Sequence, residues 1–158
     1  MSNSDQLLRE LKCEWAHLLK EALDRIQHCV SQLSHNQVWW QPAPGQNSIG
    51  MLMRHLAGNL NQWVVDGIPQ RKNSRDRDAE FNCERDDSAE HVTARLCQVV
   101  NDAIRVLVGL EADELCASRN IQGFQVTVLG AAMHSVPHFV GHTHQITQLA
   151  RLQLGDRY

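Results

Sequence analysis

Four stretches of this chain carry apolar side chains at helical spacing, and that repetition limits the fold more than any other feature. The first covers residues 5–34 and steps Leu7, Leu8, Leu11, Trp15, Leu18, Leu19, Ala22, Leu23, Ile26 and Val30 at i, i+3, i+4 and i+7. Such spacing gathers the residues on one side of a helix, leaving a stripe that another element must cover. The second stretch, 47–67, repeats Ile49, Leu52, Met53, Leu56, Leu60, Trp63 and Val64. Asn47 or Ser48 stands where a cap is wanted, and Gly67 and Pro69 supply the stop. The third, 87–111, opens at Ser88 and carries Val92, Leu96, Val99, Val100, Ala103, Leu107 and Leu110. A full capping box would want an acid or amide at position 91; His91 stands there, while Glu90 puts negative charge in the first turn. The fourth, 126–154, stops at Gly155.

The stretches between are connections. "SHNQVWWQPAPGQ" holds two prolines and a glycine, and "QRKNSRDRDAEFNCERDD" is a run of mixed charge. Only "GFQVTVLG" alternates in the manner of a strand, and it is short. Four long helices with modest connections predict an all-α fold, a four-helix bundle, as a single domain over residues 1–158.

The 158 residues are 42% apolar, enough for one core. A formal net charge of −3 gives no basic face for nucleic acid. No apolar run is long enough to span a membrane, and the N-terminal "MSNSDQLLRELKCEW" has neither part of a secretory leader. The five cysteines form no C-x-x-C pair and fit free, mostly buried thiols in a reducing cytoplasm.

Chemistry gathers in "HSVPHFVGHTHQ", which holds His134, His138, His142 and His144. The first three are four residues apart and form a stripe, whereas His144 looks elsewhere. Two imidazoles at i, i+4 can meet one metal ion, so two of His134, His138 and His142 are candidate ligands. His142 lies at the flank of the apolar stripe and His134 faces away from it. The same spacing is also common on a solvated helix face, and Pro137 falls inside the stretch. A catalytic metal site wants three protein ligands and an open position. His55 on the second helix is the candidate third, with Asn59, Gln62 and Asp66 continuing its polar line. In "RDRDAEF", Arg75, Arg77 and Glu80 can either reach over a pocket mouth or form a charged loop pinned by Phe81, the arginines paired to Asp76, to Asp78 or to a neighbouring chain.

The stretches "VWWQPAPGQNSIGMLMRHLAGNLNQW", "RDRDAEF", "QGFQVTVLGAAMH" and "HFVGHTHQI", in that order, give the chain a further bearing. It resembles the DinB/YfiT-like superfamily of metal-binding four-helix bundles, and within it a small-bundle subgroup of unassigned function. The resemblance implies one histidine on the second helix and an H-x-x-x-H pair on the fourth as ligands to a single divalent ion. These map onto His55, His138 and His142. The chain departs from the family pattern at Pro137, before the pair, and at His144, where a small residue is usual. Three imidazoles suit Zn²⁺ or Ni²⁺. Kinship further implies a homodimer and a metal-dependent transfer of a low-molecular-weight thiol to a small electrophile. The alternative is a non-catalytic metal-binding bundle that serves stress response or interaction.

Overall fold

The computed structural model describes residues 3–81 and 87–158. In chain order it comprises α1 (Asn3–Ser31), α2 (His35–Val38), α3 (Ile49–Leu60), α4 (Arg77–Glu80), α5 (Ala89–Val108), β1 (Ser118–Ile121), β2 (Phe124–Thr127) and α6 (Val128–Leu154). The four long helices coincide with the four apolar stripes. α1 packs on α5 and α6, and α3 packs on the same two, so α1 and α3 occupy opposite corners of the bundle. One core fills the space between them, with Leu19 and Ile26 of α1, Leu52 and Leu56 of α3, Leu96 and Leu107 of α5, and Phe139 and Ile146 of α6.

The helix ends follow local chemistry. Ser48, rather than Asn47, caps α3 by accepting from the Met51 amide. Ser88 does the same for α5 through the His91 amide, without the reciprocal arm. α3 widens into a π-helical turn over Asn61–Asp66, which keeps Trp63, Val64 and Val65 buried. α6 runs unbroken through Pro137. That residue lies on the exposed face, where water can replace the backbone bond that proline removes.

Two regions depart from the stripes. α6 begins at Val128 and not at 126, because Phe124–Thr127 pairs with Ser118–Ile121 as an antiparallel hairpin. Gln122 and Gly123 form its two-residue turn, both at positive φ, the conformation that tight hairpins favour. Thr127 ends the hairpin and caps α6 by accepting from the Gly130 amide. The connection after α1 is also structured: Trp39 is buried, and its ring lies so close to Gly50 that a Cβ there would be 2.6 Å from it. Arg54 stacks over the same ring, while Trp40 stays partly exposed. The described cysteines are free thiols, but they are not mostly buried as expected: Cys29 is buried, Cys97 half-buried, and Cys13 and Cys116 exposed; Cys83 lies outside the described residues.

Candidate metal centre

His55 projects from the middle of α3 and is buried; His138 and His142 project from successive turns of α6 and are half-buried. The packing of α3 on α6 brings the three together. Ring centroids stand 5.1 Å apart for His55 and His138, 5.2 Å for His55 and His142, and 4.5 Å for His138 and His142. One nitrogen of each lies within 4.8 Å of the others, so the three are positioned to hold a metal ion. His55 Nε2 and His138 Nε2 are 2.9 Å apart.

The donor chemistry fits a divalent cation. A metal takes the lone pair of a neutral imidazole. Burial, reinforced by electrostatic repulsion between a protonated ring and the neighbouring imidazoles and Arg75, pushes His138 down to about 4, so its ring is neutral at ordinary pH. His142 Nδ1 meets Gln145 Oε1 at 2.9 Å; an amide oxygen only accepts, so a proton on Nδ1 makes this contact.

His134 and His144 stand outside this set. His134 is exposed and stacks on Trp63, with centroids 4.0 Å apart. His144 is exposed and lines a shallow groove between α1 and α6. The polar line expected along α3 exists, but its members are engaged. Asn59 accepts from Ser135 Oγ at 3.4 Å, Gln62 accepts from Arg75 at 3.0 Å, and Asp66 accepts from the side-chain amides of Asn61 and Asn73.

"RDRDAEF" does not leave free arginines over a pocket, nor does Arg75 pair with Asp76 or Asp78. Arg75 turns inward and grips Glu80 with both Nε, at 2.5 Å, and Nη2, at 2.6 Å. Glu80 Oε2 lies 3.2 Å from His55 Nδ1. Burial works against ionisation of Glu80, but hydrogen bonds from Arg75 and His55 outweigh it and hold the carboxyl below its usual range. Asp76 caps the short α4, and Arg77 lies over Phe81, whose ring sits 5.2 Å from that of His55. A cleft of about 590 Å³ opens on the Arg75–Glu80 side and does not reach His138 or His142. Its cations Arg54, Lys72, Arg75 and Arg95 are matched by Asp66, Asp76, Glu80 and Asp87, so it carries no strong net charge.

The pattern of residues 5–158 matches that of the family described as "Protein of unknown function (DUF1572)". The chain belongs to that family. Among solved structures, this DUF1572 chain is similar to a conserved protein from Enterococcus faecalis, with a TM-score of 0.77 at 16% identity over 91% of this chain and 97% of that one. It is also similar to a DinB-like protein from Bacillus cereus, with a TM-score of 0.65 at 16% identity over 84% and 85% of the two chains. No curated protein matches. At such identity the likeness is one of fold, and it bears out the expected all-α bundle, whose fold is that of a DinB-like protein. Among the described residues, no helix is long and apolar enough to cross a membrane.

Sequence reasoning found the three histidines and named Glu80 as able to reach over a pocket mouth, but it missed that Glu80 is a partner of His55 and that Gln145 is a partner of His142. Gly58 held a usable signal for the first. It lies three residues after His55 on the same face of α3, where a helix gains nothing from glycine unless something must approach.

Proposed function

We propose that the chain binds one divalent cation through His55, His138 and His142, and that the site serves transfer of a low-molecular-weight thiol to a small electrophile. The observation that carries the metal reading is the convergence of three imidazoles from two helices, with one nitrogen of each within 4.8 Å of the others. Three protein ligands leave a coordination position for an outside molecule, as catalytic sites do. A divalent ion bound there supplies Lewis acidity, lowering the pKa of a water or thiol that reaches it. The chain's own residues keep the site in order. Gln145 orients His142, burial keeps His138 unprotonated, and Phe81 shields one side of His55.

A non-catalytic bundle, in which the ion ties α3 to α6, is the second reading. One observation favours it: Glu80, the carboxylate that contacts the cluster among the described residues, is held by Arg75 and so is a poor general base.

Metal analysis of protein purified without an affinity tag tests the first part. One ion per chain is expected in the wild type and none in His142→Ala, which also loses the rise in melting temperature that metal confers. A full equivalent retained by His142→Ala would refute the ligand set. For the second part, a panel of bacterial thiols is assayed against a generic electrophile. A metal-dependent rate that disappears in His138→Ala supports the transferase; full occupancy with no rate above background leaves the non-catalytic bundle. The proposal includes a homodimer, which rests on the family resemblance.

A further inference from the structure

We propose that Glu80 and Arg75 are positioning residues that hold His55 in the tautomer protonated at Nδ1, which leaves the Nε2 lone pair for a divalent cation. The inference rests on the metal-site reading above and adds residues to which that reading gives no role.

His55 Nδ1 has two polar neighbours, and they ask for opposite tautomers. Glu80 Oε2, at 3.2 Å, can only accept while the carboxyl is ionised. Arg75 Nη2, also at 3.2 Å, can only donate. The guanidinium has already chosen its partner, because Nε and Nη2 fork onto the two oxygens of Glu80 at 2.5 and 2.6 Å. That grip keeps Glu80 an anion. A lone pair on Nδ1 would then face a carboxylate oxygen and be repelled, whereas a proton there donates to it. With Nδ1 protonated, neutral His55 presents an unprotonated Nε2, and this is the atom directed at His138 Nε2, 2.9 Å away. Hydrogen bonding of the outer nitrogen to a carboxylate is a common way of orienting a metal-binding histidine.

The rest of the fold is cut to bring this carboxylate in. His55 and Gly58 fall on one face of α3, at i and i+3, and Gln62 follows in the π-helical turn that continues it. The segment carrying Arg75 and Glu80 lies over that face. Arg75 Nη1 donates to Gln62 at one end, Glu80 meets His55 at the other, and between them a Cβ on Gly58 would stand only 1.8 Å from Glu80 Oε1. Absence of a side chain at 58 is what lets the carboxylate reach His55. A charged loop that only closed the bundle would not require so close a seat beneath it.

Two measurements on the full chain test the inference. Long-range ¹H–¹⁵N correlation NMR of the metal-free protein reports the His55 tautomer directly. The wild type should show Nδ1–H, and Glu80→Gln should shift toward Nε2–H, because the amide nitrogen of glutamine can donate to Nδ1 while its oxygen turns to Arg75. Zn²⁺ affinity, measured by competition with a chromophoric chelator, should weaken about 10–100-fold in Glu80→Gln, with Arg75→Lys weakened in the same direction. Ile26→Val, a core truncation on α1, lowers the melting temperature without changing Zn²⁺ affinity and so separates positioning from general loss of stability. If the wild type takes up no Zn²⁺, the metal reading fails, and the tautomer is decided by NMR alone. A wild type that binds Zn²⁺ but carries Nε2–H on His55 overturns the inference, as does a Glu80→Gln variant with unchanged affinity. Should Glu80→Gln not fold, the wild-type tautomer and Arg75→Lys still decide it.

Discussion

Replacing Gly58 with alanine sets two physical effects against each other, and the structure says which wins. Glycine in a helix interior is about 1 kcal/mol worse than alanine, so on propensity alone Gly58→Ala should stabilise the protein. The added Cβ, however, would lie 1.8 Å from Glu80 Oε1 and 2.8 Å from Arg75 Nε. Ordinary contact begins near 3.5 Å, so the carboxylate must withdraw by roughly 1.7 Å, and Arg75 must go with it. If the two move as a pair and keep their own bonds, the hydrogen bonds that break are those of Glu80 with His55 and of Arg75 with Gln62. Hydrogen bonds involving a charged group contribute about 1.5–3 kcal/mol each, so the loss is about 3–4 kcal/mol after some recovery in water. Set against the propensity gain, the net destabilisation is about 2–3 kcal/mol. For a domain of this size that lowers the melting temperature by about 5–10 °C. Thermal unfolding of the metal-free protein, followed by circular dichroism and repeated in urea, measures it. A melting temperature equal to or above that of the wild type would refute the argument, since it would mean that the Arg75–Glu80 segment contributes nothing by lying against α3.

Acid should destabilise the metal-free protein ahead of general acid unfolding. His138 has a folded pKa of about 4 against an ordinary 6.5, so between those values the unfolded chain binds more protons and stability falls as pH falls. Glu80, held below 4.5, loses its contribution in the same direction at the acid end. Melting temperatures measured from pH 7 to pH 4 should decline, and His138→Gln should flatten the upper part of that decline; an unchanged slope in the variant would contradict the assignment. Light scattering at micromolar concentration should give the mass of a dimer, and a monomer mass would remove the homodimer from the proposal.

The four stripes were enough to determine four helices, because an apolar face of that length has to be covered and helices cover one another. Caps were local too: Ser48, Ser88 and Thr127 each accept a backbone N–H three residues ahead. The i, i+4 spacing of His138 and His142 is likewise a property of one helix. What the residues alone left open was which histidines converge, since His134 has the same spacing to His138 as His142 does. Resemblance to a family made the choice; the packing of α3 against α6 supplies the physical reason, turning His142 toward His55 and leaving His134 against Trp63. The pairing of Glu80 with His55 was beyond reach for another reason. Glu80 is 25 residues from His55, in a charged stretch whose composition reads as solvated loop, and no periodicity connects the two. Only the folded chain shows that this segment lies across α3, and that a glycine with no local purpose marks where it rests.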